Sequence, residues 1–190
     1  VSATGRGRER NARDFYQTPR WCVEALLECE PIAPPYFDPC CGDGAILEVL
    51  AEHGEAFGLD IHPPAVRACK DAGLWTGIDD FLGGNRWEGD HGSVVMNPPY
   101  RQAAEFIRHA IGQQARGVKV AALLRLNFLG SSRKRIDLVG PGSCLRSVLV
   151  LSKRPSFTGD GRTDACEYCW MVWEVGYTGS ASLRVLDASP

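Results

Sequence analysis

Short apolar runs alternate with amphipathic stretches along most of the chain. The runs are Tyr36-Phe37, Ala56 to Ile61, Leu74-Trp75-Thr76, Ser93 to Met96 and the near-continuous Val118 to Leu126. A run that is apolar at nearly every position is expected of a strand buried on both faces, as in parallel sheets. Between the runs, spaced apolar positions predict helices. One follows Thr18-Pro19, with Trp21, Cys22, Ala25 and Leu26 on one face, and ends at Pro31, Pro34 and Pro35. Others carry Ile46, Leu47, Val49 and Leu50, start at Ala65 after Pro63-Pro64, carry Ala103, Phe106, Ile107 and Ala110, and lie near 131–139. Two late strands, Leu145–Ser152 and Glu167–Val175, have no helical pattern between them, which predicts an antiparallel hairpin. The alternation predicts an α/β fold: one doubly wound, mostly parallel sheet with a C-terminal antiparallel hairpin. Ligands of such sheets sit beyond the carboxyl ends of the strands. The glycine turn at 42–44, Asp60, Asp79-Asp80-Phe81 and Asn97-Pro98-Pro99 should therefore line one crevice.

Composition narrows the class without naming the chemistry. The 190 residues are 44% hydrophobic and 23% charged, which suits one globular domain and excludes a mainly disordered or fibrous chain. No run reaches the roughly 18 apolar residues of a membrane span, and no apolar stretch follows the N-terminal arginines as in a secretory signal. The expected organisation is a flexible basic tail at 1–13, a single domain at 14–178 and a short tail at 179–190, in a cytoplasmic protein. The net charge is −2, yet Arg6, Arg8, Arg10, Arg13 and Arg20 crowd one end, and Arg133-Lys134-Arg135 and Lys153-Arg154 with Arg162 form two further clusters. Such clusters can hold phosphates on a near-neutral chain, and equally can be solvated loops. The 8 cysteines read as reduced thiols. Cys166-x-x-Cys169 has no second pair at matching spacing, so no metal site is expected.

The chemistry is concentrated in two turns. Asp38-Pro39-Cys40-Cys41-Gly42-Asp43-Gly44 ends the first strand and opens a helix, a place where the backbone can approach a ligand closely. A dinucleotide fingerprint wants a third glycine at 47, where Leu47 stands, so a nicotinamide cofactor is disfavoured. Asp60, at the end of the second strand, is placed to clamp a ribose diol. A plain turn with a helix cap explains these two features equally well. Asn97-Pro98-Pro99-Tyr100 changes the balance, because it puts an amide, a rigid carbonyl and a π face at one strand end. A conjugated amino group is a poor nucleophile. Two acceptors, the Asn97 side-chain oxygen and the Pro98 carbonyl, can take its N–H bonds and turn its lone pair outward, which is transition-state stabilisation by fixed dipoles. Tyr100 can stack on the planar group. No general base stands out, since His53, His62, His91 and His109 fall on helices or loops away from the strand ends. Trp75, Trp87, Trp170 and Trp173 read as packing residues.

Together these two motifs resemble the S-adenosylmethionine-dependent amino-methyltransferases, most of all the N6-adenine DNA methyltransferases, including compact ones of phages and prophages and those of restriction–modification systems. Tyr16-Gln17-Thr18-Pro19 resembles the motif that closes over the methionine end of the cofactor, and Arg154 to Gly159 with Glu167 to Glu174 resembles the late loop and last strand of the group. The resemblance covers about residues 14–176 and implies a Rossmann-like, class I methyltransferase fold. It implies that Tyr16, Thr18 and Pro19 sit by the cofactor's methionine end and that Asp38 binds its amino group. Cys40, Gly42 and Gly44 would form its backbone cradle, and Asp60 would take the ribose hydroxyls. Ile61 would pack on the adenine, with Asp79 or Asp80 on its amino group and Phe81 beside the ring. Asn97, Pro98, Pro99 and Tyr100 would hold the target base, and Phe157 would be a second aromatic on it. Arg133, Lys134, Arg135 and Arg154 would face DNA. Ribosomal RNA enzymes and release-factor glutamine methyltransferases share Asn-Pro-Pro-Tyr, so RNA or a protein glutamine is the competing substrate, and a non-catalytic partner subunit a third reading. Restriction-type relatives carry a separate target-recognition domain. Here only the basic tail, residues 127–143 and residues 153–164 are candidates, which implies a short or relaxed sequence context, a specificity partner or a homodimer.

Overall fold

The computed structural model describes residues 17–83, 92–130, 132–157, 163 and 165–187. Tyr16, the tail arginines before it, Trp87, His91 and Arg162 lie outside the described residues. The strands are β1 (Tyr36–Asp38), β2 (Ala56–Asp60), β3 (Trp75–Ile78), β4 (Ser93–Met96), β5 (Lys119–Arg125), β6 (Leu145–Leu151), β7 (Tyr168–Glu174) and β8 (Ser182–Leu186). They form one sheet in the order β3-β2-β1-β4-β5-β7-β6-β8. The pairs among β1 to β5 are parallel, and β7 is antiparallel to both β5 and β6. The strand order reverses between β1 and β4, the place where a ligand crevice opens in such sheets.

Alternation along the strands builds two cores. Tyr168, Trp170 and Val172 of β7 face one, with Ala121 and Leu123 of β5. Cys169, Met171 and Trp173 face the other, with Val120, Ala122 and Leu124. On the first face lie α1 (Arg20–Cys29) and α2 (Ala45–Ala51), with α3 (Pro63–Asp71) joined to α2 through Cys41, Leu47 and Cys69. On the second lie α4 (Ala103–Gln113) and the single turn α5 (Ile136–Val139). Two indoles tie helices to the sheet: Trp170 donates Nε1–H to Cys22 O (2.7 Å) and Trp173 donates to Leu138 O (2.8 Å). Each such bond contributes about 1 kcal/mol beyond the ring's own burial.

The structure departs from the sequence expectations at three places. Residues 182–186, read as tail, form β8, parallel to β6 at the sheet edge. The helix expected near 131–139 is a 3-10 turn at Arg133–Arg135 followed by α5, because Gly140 stops the helix after one turn. Trp75, read as a packing residue, is 77% exposed on β3, the edge strand of the sheet among the described residues.

Candidate active site

The carboxyl ends of β1, β2, β4 and β5 surround a cavity of about 570 Å³. Its lining joins Thr18, Asp38, Cys40, Gly42 and Asp60 to Asn97, Pro98, Pro99, Tyr100 and Arg125. The two motifs read from the sequence thus meet in one space, as the strand order requires.

The glycine turn is built by backbone conformations that favour glycine. Gly42 has φ 54° and Gly44 has φ 93°. At that φ any side chain on Gly44 would be strained, and its Cβ would also press on Leu74 and Cys69. Asp60 fixes the turn from the side: its carboxylate accepts Gly42 N–H (2.9 Å) and His62 N–H (2.8 Å). Asp38 is 1% exposed, and Cys40 N–H donates to its Oδ1 (3.1 Å). Burial raises its pKa to about 7; the Cys40 N–H opposes the shift and nearby Asp60 adds to it. Burial also holds the Cys40 thiol well above its ordinary value, so it stays protonated.

At the other side of the cavity, Asn97 donates Nδ2–H to Thr18 Oγ1 (3.1 Å). An amide is planar and two-ended. Anchoring its nitrogen to the buried Thr18 leaves Oδ1 as the acceptor on the opposite edge. Pro98 is buried and Pro99 exposed, and Tyr100 follows in the same lining. Tyr100 has the Arg125 guanidinium over its ring, 4.9 Å from the centroid, and a tilted contact with Tyr168 at 6.1 Å. Arg125 is a residue that the sequence does not single out, because it falls inside the near-continuous apolar run Val118 to Leu126.

Several predicted residues sit elsewhere. Ile61 is 68% exposed and, with Asp79 and Asp80, lies outside the cavity lining. Phe81 turns inward, edge-on to Phe37 and to His109, and is buried. Pro19 lines a neighbouring hollow with Gln17, Arg20 and Asp43, which Thr18 shares. Phe157 is buried edge-on against Tyr168 (5.0 Å), so its ring is in the core. Arg135 stacks on Phe128 (4.6 Å) and donates to Asn127 O and Gly130 O. Arg154 pairs with Glu167. Arg133 and Lys134 are exposed.

No protein-family model and no curated protein sequence matches the chain. Solved structures do. A putative class I S-adenosylmethionine-dependent methyltransferase from Listeria monocytogenes superposes with TM-score 0.65 at 15% identity, covering 96% of this chain and 68% of that one. The M protein of the type I restriction enzyme EcoKI gives 0.66 at 17% identity, covering 92% and 49%. A modification subunit of a putative type I restriction enzyme from Vibrio vulnificus gives 0.68 at 17% identity, covering 93% and 48%. The fold is that of the class I methyltransferases. The chain spans about half the length of the two restriction-system subunits. Among the described residues, no helix is long and apolar enough to cross a membrane, and no group of three His, Cys, Asp or Glu side chains gathers as a metal site.

The residues present fit S-adenosylmethionine. A buried carboxyl whose donors among the described residues are the neutral Cys40 N–H and thiol suits a cationic amino group, and Gly42, at positive φ, brings the backbone of the turn into the cavity wall. Asp60 stands at the end of the strand beside it, and the exposed apolar side chain of Ile61 suits a flat ring.

Proposed function

We propose that the chain transfers a methyl group from S-adenosylmethionine to the N6 amino group of adenine in DNA, within a short or relaxed sequence context. What carries the reading is the placement of the Asn97 amide and the Pro98 turn in the same cavity as Asp38 and Asp60. Bound there, the cofactor supplies an electrophilic methyl group. Asp38, Asp60 and the turn at Gly42–Gly44 would hold it. Asn97 Oδ1, with its nitrogen fixed by Thr18, and the Pro98 carbonyl accept the two N–H bonds of the target amino group. These bonds strengthen as positive charge develops on that nitrogen, so they act in the transition state more than in the ground state. No base is required, because the methylated nitrogen is acidic enough to lose its proton to water. Tyr100 offers the stacking face for a base that is single-stranded or flipped from its duplex. The likeness to the M protein and the modification subunit of two type I restriction enzymes supports DNA, and a specificity partner or second copy would supply the sequence readout.

The test is methyl transfer from labelled S-adenosylmethionine to DNA, RNA and a release factor in parallel, with the modified nucleoside identified by mass. N6-methyladenine in DNA is expected. In Asn97→Ala, turnover should fall by about 10²-fold or more with cofactor affinity nearly unchanged. Label in RNA or protein alone would move the assignment to that substrate, and full turnover by Asn97→Ala would remove the amide from the mechanism.

A further inference from the structure

The cavity is one space with a divided charge. Asp38, Asp43 and Asp60 lie at the ends of β1 and β2, while Arg101 and Arg125 lie beyond β4 and β5. The acidic end suits a cofactor that carries positive charge. The basic end has no part in methylating an amino group, which needs two acceptors and a stacking ring. A cation there does nothing for the positive charge that develops on the nitrogen, but it suits an anionic group of the substrate.

Arg125 is held in place by aromatic groups. Its Nε–H donates to Tyr168 Oη (3.2 Å), and its guanidinium covers the Tyr100 ring. Tyr168 is fully buried and gripped edge-on by Phe157, so the arginine rests on an immobile platform. Arginine is the side chain whose planar fork matches a phosphate's oxygens two at a time, and whose flat face stacks on an aromatic ring. A base stacked at Tyr100 carries its phosphate one sugar away. A glutamine side chain presented to the same ring would bring no anion.

We infer that Arg125 binds the backbone phosphate next to the target base and so selects a nucleotide polymer as the substrate. The inference rests on the amino-methyltransferase reading of Asn97 to Tyr100 and extends it to the substrate's charge. Arg101, exposed at the mouth of the cavity, adds a second positive charge on the same side. A chain of net charge −2 thereby holds a polyanion through local placement.

The experiment pairs a protein change with a substrate change. A fluorescent single-stranded oligonucleotide with one adenine is titrated by anisotropy in the presence of S-adenosylhomocysteine, so no turnover is needed. A second oligonucleotide replaces one phosphate flanking the adenine, in turn on each side, by an uncharged methylphosphonate. The wild-type chain should lose about 10-fold in affinity for one of the two neutral linkages. Arg125→Ala should lose about as much on the normal oligonucleotide and nothing more on the neutral one, which is the non-additivity of two groups in contact. Arg125→Lys, which keeps the charge without the fork, should fall between. Calorimetry should find S-adenosylhomocysteine bound equally well by all three. Equal further loss by Arg125→Ala on the neutral linkage, or no binding of the oligonucleotide by the wild-type chain, would overturn the inference. Coupling without any methylated adenine would instead keep Arg125 as a phosphate ligand and sink the proposed reaction.

Discussion

Two carboxylates are buried at opposite ends of the sheet, and they are treated in opposite ways. Glu30 follows α1 at the amino ends of β5, β6 and β8. Ser147 donates to it (3.2 Å), Arg184 pairs with it at 3.0 Å, and Lys119 and Arg146 each lie 3.5 Å away. Asp38 is at least as buried, but its donors among the described residues are the neutral N–H and thiol of Cys40, and its charged neighbour is Asp60. A buried carboxylate surrounded by cations is complete. One set beside a second acid is held in readiness for a cation that arrives from outside. Burial alone does not mark a site; the missing counter-charge does.

The largest expected effect tests the complete end. Glu30→Ala leaves the buried Lys119 without its carboxylate, and should cost about 3–5 kcal/mol of stability in urea unfolding. Glu30→Gln keeps acceptors for Ser147 and Arg184 and should cost less. Asp38→Asn should do the reverse: stability at neutral pH holds or rises, because no charge is left in a buried place. Cofactor affinity should fall about 10- to 100-fold, the loss of charged hydrogen bonds worth roughly 1.5–3 kcal/mol. Equal loss of stability in Glu30→Ala and Asp38→Asn would erase the contrast.

The pH dependence follows from the Asp38 carboxyl, whose pKa is raised to about 7. The folded free protein keeps that proton where the unfolded chain has released it. Its contribution to stability is therefore full below the ordinary carboxylate range and is lost as pH rises toward 7. A cationic ligand favours the charged form, so cofactor affinity should climb about tenfold per pH unit up to about 7 and then level. Calorimetry in buffers of different ionisation enthalpy should find roughly one proton released on binding below pH 7 and few above. In Asp38→Asn the climb should disappear.

The smallest effects concern the basic triplet, where engaged and available charges again lie side by side. Arg135 is held by Phe128 and two carbonyls, so Arg135→Ala should cost about 1 kcal/mol of stability. Replacing exposed Arg133 and Lys134 by Ala should leave stability within about 0.5 kcal/mol. It should lower the salt dependence of DNA binding by about one unit of slope for each phosphate that is no longer neutralised.

Much of this was legible in the sequence, because strands buried on both faces announce themselves by composition and the two site motifs are local. β8 was not. Ser182-Leu183-Arg184-Val185 is a short alternation whose apolar members stay exposed, so it marks no buried face, and Arg184 is tied to Glu30 across 154 residues. The Thr18–Asn97 bond joins residues 79 apart, and Arg125 gains its meaning only from the tyrosines that fold around it. Phe81 and Phe157 stand where the motifs put them, yet both rings were drawn into the cores by the apolar surface they could bury.

The routing of the edge strand has a consequence for how the domain can be extended. Because β7 is antiparallel to β5 and β6, and β8 is parallel to β6, Leu186 lies at the same end of the sheet as Arg125. Thr18 lies there too, in the cavity wall. Any polypeptide joined before residue 17 or after residue 187 therefore departs from the cavity side of the sheet. A fused module would need only a short linker to reach the cavity mouth, whereas one inserted between α1 and β1, beside Glu30, would have to travel the height of the sheet.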